Sequence, residues 1–169
     1  LLNLFAAEIQ RSVNGRPGGL MALNEDDIFR AVERTHLRAE GSYSVVSMIT
    51  GWGLVAFRDP NGIRPLFIGK NEVNGFTERL IASESVACKT LGFDPERDVA
   101  PGEAVIIRMD GTFYSKVCYS NPVHTPCVFE HVYFARPDSV MDGISVHSAR
   151  LRMGKALARS IRRNLPDHD

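Results

Sequence analysis

"VAFRDPNGIRPLFIGK", residues 55–70, is the stretch on which the reading of the fold turns. Apolar residues dominate both flanks of Asp59-Pro60-Asn61-Gly62, and each residue of that quartet favours a turn for its own reason. Two short strands joined by a tight reversal are expected, a hairpin in which Asn61 and Gly62 tolerate positive φ. Arg58, Asp59 and Arg64 could together clamp an anion. The turn chemistry around them favours a structural role, with Asp59 accepting turn N–H groups and both arginines paired with carboxylates.

On the N-terminal side, "YSVVSMIT" (43–50) and "LVAFR" (54–58) are β-rich and joined by "GWG" (51–53). Further upstream, Leu1, Leu2, Phe5, Ile9 and Val13 fall near helical spacing. "NGRPGG" (14–19) ends that helix. Asn24 is a plausible N-cap for a second helix, with Glu25, Asp26 and Asp27 at its positive end and Ile28 and Val32 on its inner face. On the C-terminal side, "PLFIG" (65–69) and "RLIA" (79–82) read as strands, and Ser83 as the cap of a helix running to Gly92. Residues 98–117 read as a loop and a hairpin turned at Asp110-Gly111. Asn121-Pro122 and Thr125-Pro126 form a linker, because a residue before proline avoids the α region. A domain boundary is placed near residue 123. "VFEHVYF" (128–134) reads as a strand and "ARPDS" as a polar loop. A last helix is expected from about Ser145 to Leu165, its stripe formed by Val146, Ala149, Met153, Leu157 and Ile161.

The bulk properties narrow the function. The chain has 169 residues, 44% of them hydrophobic and 24% charged, with formal net charge +0. That excludes disorder and a chain built as a whole to grip nucleic acid or anionic lipid. No window approaches the roughly 18 apolar residues of a membrane span. Cys88, Cys118 and Cys127 are widely spaced without a CxxC pair, as expected of reduced, mostly buried thiols in a cytoplasmic protein. The last helix carries Arg150, Arg152, Lys155, Arg159, Arg162 and Arg163 without an acidic residue. No aromatics interleave, so a solvated face is favoured over a nucleic-acid surface. The apolar opening at Leu1-Leu2, with no cap, reads as part of a longer protein.

Two places hold candidate chemistry. Cys127 has His124 and His131 near in sequence, but four-ligand metal or cluster spacing is lacking, and a buried, unreactive thiol is expected. "YFARPDS" (133–139) sets Tyr133, Arg136, Asp138 and Ser139 within seven residues. These side chains could orient a ligand, or form a turn with Asp138 or Ser139 as a cap.

The segments taken in order resemble the amidophosphoribosyltransferase family. "LLNLFAAEI", "GSYSVVSMITGWGLVAFRDPNGIRPLFIGK", "ASESVACKTLGF", "RDVAPGEAVII", "NPVHTPCVFEHVYFARPDS" and "ISVHSARLRMGKALA" carry the likeness over almost the whole chain. Asparagine synthetase and other amidotransferases of that class share the pattern of residues 54–91 but not that of 127–155. A non-catalytic binding remnant of the same sandwich is the other alternative. The resemblance implies an α+β architecture: a layered αββα N-terminal-nucleophile glutaminase sandwich, incomplete, over 1–122. The linker, first strand and first helix of a type I phosphoribosyltransferase domain would follow over 123–169. It implies that an N-terminal cysteine releases ammonia from glutamine, its α-amine acting as base. The ammonia would displace pyrophosphate from 5-phosphoribosyl diphosphate (PRPP), with Mg²⁺ bound, giving 5-phosphoribosylamine. This chain opens on Leu1 and lacks that cysteine, the upstream arginine and the Asn-Gly pair of the glutamine site. The transferase's acidic phosphate loop is also missing, so the 169 residues alone are expected to be inactive. Tyr133, Arg136, Asp138 and Ser139 would lie where the two domains meet. Cys127 matches an iron–sulfur ligand of some members, while others keep a cysteine there without a cluster; no cluster is expected here. Purine-nucleotide inhibition and a homotetramer are common in the family. An apolar surface is expected where further elements would pack.

Overall fold

The computed structural model describes residues 1–165. Helices α1 (Leu2–Val13) and α2 (Glu25–Arg38) come first, joined through a 3₁₀ turn at Gly19–Ala22. The start of α2 follows from its sequence. The Asn24 side chain accepts the Asp27 N–H at 3.0 Å, and the Asp27 carboxylate accepts the Asn24 N–H at 3.1 Å, a reciprocal capping box.

Seven strands then build two sheets. Strands β1 (Ser44–Ile49), β2 (Gly53–Arg58), β6 (Glu103–Arg108) and β7 (Phe113–Val117) lie side by side in that order. A second sheet has β3 (Phe67–Val73) between β4 (Phe76–Ala82) and β5 (Asp94–Asp98). The period of two sorts the residues of β2 and β6 between two cores. Val55, Phe57, Ala104 and Ile106 join Phe5, Ile9, Ile28 and Val32 from the helices. Ala56 and Val105 join Leu66, Ile68 and Val99 in the other. Helix α3 (Ser85–Thr90) packs on the second sheet. At Gly69 of β3 a Cβ would stand 2.7 Å from the Cys88 Sγ of α3, so the missing side chain sets how closely the helix approaches.

The opening stretch behaves differently from a hairpin. β2 is paired on one side with β1 and on the other with β6, so it offers no free edge to the chain that follows. The Asp59–Gly62 turn therefore carries the chain from one sheet to the other. The hairpin formed by an Asn-Gly pair is the next one, β3–β4, turned at Asn74 (φ 51°) and Gly75 (φ 81°). Strand β5, "DPERD", has a composition that argues against a strand. Its edge position tolerates Pro95, and Arg97 and Glu96 tie it to Glu103 and Arg79.

Past the linker, residues 130–134 form a π-helical turn, where a strand is expected from the β-rich letters. Backbone groups there find partners other than a sheet edge. Arg150 donates to the carbonyls of His131 (2.8 Å) and Ala135 (2.7 Å), and the Ala135 N–H donates to the Glu130 carbonyl at 2.9 Å. A small hairpin follows, β8 (Val140–Met141) and β9 (Ile144–Ser145), then α4 (Val146–Asn164), capped by Ser145. The expected helix and its stripe are present. Only Val146 and Ala149 of that stripe are buried, while Met153, Leu157 and Ile161 are exposed. The proposed second unit, 123–169, runs four residues past the described region, and those four lie outside it.

Candidate functional site

The chemistry of the chain concentrates where residues 123–150 lie against the crossover loop, the end of β2 and helix α3. Its centre is Arg58, at the end of β2 and 1% exposed. A guanidinium has five N–H donors, and each finds an acceptor. Nε donates to the Arg64 carbonyl at 2.8 Å, Nη1 to the Val99 carbonyl at 2.8 Å and Nη2 to the Gly62 carbonyl at 2.8 Å. The remaining two fork onto Asp142, Nη1 to Oδ1 at 2.9 Å and Nη2 to Oδ2 at 3.1 Å. Arg58 thus fastens the crossover loop, the approach to β6 and the β8–β9 turn at one point. Gly62 belongs to the same fit. Its φ is +58°, and a Cβ there would stand 2.8 Å from Pro101 Cγ and 3.1 Å from His124 Cδ2.

Asp59, fully buried, does for the backbone what Arg58 does for the segments. Its Oδ1 accepts the N–H groups of Asn61 (3.0 Å) and Ile63 (3.1 Å), and its Oδ2 accepts that of Arg64 (3.1 Å). Arg64 pairs with Glu130 of the π turn. The turn triplet is structural, as its sequence suggests, and both arginines meet carboxylates.

The local electrostatics follow from crowding. Burial works against the Asp142 charge, but the two bonds from Arg58 outweigh it and hold its pKa below the usual carboxylate value. His124 Nε2 stands 3.3 Å from Asp142 Oδ2. Burial pushes the Asp98 carboxyl up, and the Asp142 charge adds to that shift against the pull of Arg58. Burial also raises Cys88, and it carries Cys118 up to about 12, so neither thiol is poised as a nucleophile. Cys127 is half-buried, more accessible than its sequence context suggests. Among the described residues no group of three His, Cys, Asp or Glu side chains could hold a metal ion, so Cys127 has no co-ligands there for a cluster.

The "YFARPDS" residues divide into outward and inward groups. Tyr133 is 77% exposed and its ring meets that of Phe134 edge-on, with centroids 5.7 Å apart. Arg136 and Asp138 pair with one another, Nε to Oδ1 at 3.1 Å and Nη2 to Oδ2 at 3.3 Å, on the exposed side of the loop. Ser139 is 1% exposed, and its hydroxyl donates to Glu84 Oε2 at 2.6 Å. The Ser139 N–H donates to the Arg136 carbonyl at 3.1 Å, so a β-turn is also present. Glu84 stands at the N-cap of α3, where Ser83 is the expected cap. Glu84, Glu130 and Asp142 escape sequence reading, with only Asp142-Gly143, a turn dipeptide between "VM" and "IS", as a signal; Arg150, expected on a solvated basic face, turns instead to the carbonyls of His131 and Ala135.

No family model matches the chain. Whole relatives do. The chain is 53% identical over 169 residues to an amidophosphoribosyltransferase of Pseudomonas aeruginosa, covering all of this chain and 32% of that protein. Against the Escherichia coli protein of that name it is 51% identical over 170 residues, covering 100% of this chain and 32% of the relative. Against the Saccharomyces cerevisiae protein it is 43% identical over 173 residues, with 100% and 33% covered. The chain thus spans about a third of the length of the curated relatives it matches. Among solved structures, the glutamine PRPP amidotransferase of Bacillus subtilis complexed with ADP and GMP superposes with TM-score 0.71 at 35% identity, over 92% of this chain and 30% of that one. A structure described as the allosteric regulatory enzyme of purine biosynthesis superposes with TM-score 0.72 at 34% identity, again over 92% and 30%. The mixed α and β architecture is shared with both.

Proposed function

We propose that this chain, homologous along its whole length to about a third of an amidophosphoribosyltransferase, is the part of such an enzyme that joins glutamine hydrolysis to phosphoribosyl transfer. The observation that carries the reading is the match of all of this chain, on both sides of the linker, to bacterial and yeast relatives of one name. Residues 1–122 are assigned to the glutaminase. The two sheets, with α1 and α2 against the first and α3 against the second, support an αββα sandwich of the N-terminal-nucleophile type. Residues 123–169 are assigned to the linker and the start of the transferase, which in this chain contributes a π turn and α4.

In the complete enzyme, glutamine is hydrolysed by an N-terminal cysteine. The ammonia displaces pyrophosphate from PRPP to give 5-phosphoribosylamine, a centre that needs water kept away. Mg²⁺ would be held by residues outside this chain, and no step is assigned to an iron–sulfur cluster. What these residues contribute is placement. Arg58, Asp59 and Arg64 fix the crossover loop against the transferase segment, so that Tyr133, Arg136 and Asp138 present their polar groups at the junction, with Ser139 anchored beneath. Purine nucleotides as inhibitors, consistent with the ADP and GMP named for the Bacillus subtilis relative, a homotetramer and a cytoplasmic location complete the proposal.

The test is to assay the full-length protein carrying these residues for PRPP-dependent consumption of glutamine. The expected result is one 5-phosphoribosylamine formed per glutamine consumed. Glutamine hydrolysis indifferent to PRPP, with no phosphoribosylamine, would reject the reading.

A further inference from the structure

Helix α3 is only six residues long, and the side chain at its N-cap does not cap it. Glu84 sits where a carboxylate could accept an N–H of its own first turn. It reaches instead across to the loop that follows the linker. One oxygen, Oε2, accepts the backbone N–H of Arg136 at 2.8 Å and the hydroxyl of Ser139 at 2.6 Å. The next residue repeats the pattern: Ser85 Oγ accepts the backbone N–H of Val140 at 2.9 Å. Both ends of the Arg136–Val140 segment are therefore held by two consecutive side chains of α3. Ser139 is buried in doing so, while Tyr133, Arg136 and Asp138 stay exposed.

α3 is in turn tied to the second sheet. Cys88 lies in the space left by Gly69 of β3, and the Leu91 N–H continues the helix bonds to the Ala87 and Cys88 carbonyls. The loop is thus referenced to β3, on the far side of the sandwich core from α1 and α2.

We infer that Glu84 is a positioning residue: its carboxylate, aided by Ser85, sets the conformation of the Arg136–Ser139 loop and so the coupling of the two reactions. This rests on the assignment of that loop to the junction between the two active sites. It divides the four loop residues of the sequence reading. Tyr133, Arg136 and Asp138 are the groups offered outward, and Ser139 is the rivet that holds them. The acceptor geometry matters more than the charge, because both donors converge on one oxygen. A glutamine side chain, with its own carbonyl oxygen, can take both bonds; alanine can take neither.

The experiment compares E84A and E84Q with wild type in the full-length protein, by amide hydrogen exchange and by turnover. Exchange protection of the Arg136 amide should fall about tenfold in E84A, the worth of one hydrogen bond, and stay near wild type in E84Q. The ratio of phosphoribosylamine formed to glutamine hydrolysed should fall in E84A, while hydrolysis of glutamine and synthesis from added ammonium persist, and E84Q should restore the ratio. Unchanged exchange in E84A overturns the latch itself. Lost protection with an unchanged ratio overturns its role in coupling, and an E84Q as defective as E84A overturns the geometric argument. A wild-type protein that makes no phosphoribosylamine, yet loses Arg136 protection in E84A, overturns the coupling role together with the proposed reaction and leaves the latch standing.

Discussion

Replacing Arg58 by methionine keeps the length and apolar stem of the side chain and deletes its five donors. Four groups lose Arg58 at once: the carbonyls of Gly62, Arg64 and Val99 and the carboxylate of Asp142, which keeps only His124 beside it. Removing one partner of a buried ion pair costs about 3–5 kcal/mol. Asp142 keeps 13% of its side chain exposed and can regain some water, so the lower end applies to it. The stranded carbonyls add about 1 kcal/mol or more between them. A total of about 4 kcal/mol or more approaches the whole stability of many domains, about 5–15 kcal/mol. Arg58→Lys keeps a charge without the fork and should cost about half as much. The single tryptophan, Trp52, is buried in the core shared by the helices and the first sheet, and its Nε1 donates to the Leu23 carbonyl at 3.0 Å. Its fluorescence therefore reports urea unfolding of the 169-residue chain. R58M, R58K, D142N and the double variant R58M/D142N form the series. The Arg58–Asp142 coupling should be about 2–3 kcal/mol. A coupling under about 0.5 kcal/mol, with R58M costing less than about 1 kcal/mol, would refute the claim that this pair fastens the junction.

Further expectations concern other parts of the chain. His36 is buried, its Nδ1 shares a 2.8 Å hydrogen bond with the Tyr43 hydroxyl, and burial lowers its pKa from 6.5 to about 4. The unfolded state then binds the proton at higher pH than the folded state, so this contribution is fully present above pH 6.5 and is lost as pH falls towards 4. It amounts to about 3 kcal/mol, and H36Q should flatten the difference between unfolding midpoints measured at pH 7 and pH 4.5. Gly69→Ala drives a Cβ to 2.7 Å from Cys88 Sγ and should cost about 1–3 kcal/mol. Cys88→Ala in the same chain should recover part of that loss in a thermal melt, and additive effects would show that the two positions do not touch. In the full-length protein, Tyr133→Ala or Arg136→Ala should lower the coupling of glutamine hydrolysis to PRPP more than hydrolysis itself. Wild-type coupling in both variants would remove the loop from the junction.

Local chemistry was legible wherever it is settled by neighbours in sequence. The Asn24 cap of α2, the "GWG" turn between β1 and β2, the Asp110-Gly111 turn and the bounds of α4 each depend on a few adjacent residues. Asp59 accepts turn N–H groups as its setting suggests, because an Asx side chain finds its own backbone a few residues on. The resemblance carried in the motifs reached further than any of these and fixed the relatives. Whatever depended on which edge or carbonyl was already taken had to come from the tertiary structure. "VAFRDPNGIRPLFIGK" contains both strands and the turn, yet β2 has β1 and β6 on its two sides, so the turn crosses between sheets. "VFEHVYF" has the letters of a strand, but Arg150 claims the carbonyls of His131 within it and of Ala135 just past it, and Glu130 is drawn to Arg64, so it coils into a π turn. The same holds for the candidate site. Sequence supplied the loop that carries Tyr133, Arg136, Asp138 and Ser139. The partners that hold it, Glu84 and Ser85, are more than fifty residues away along the chain. Hydrogen bonds and ion pairs act over about 3 Å, and only the folded chain decides which distant groups come that close.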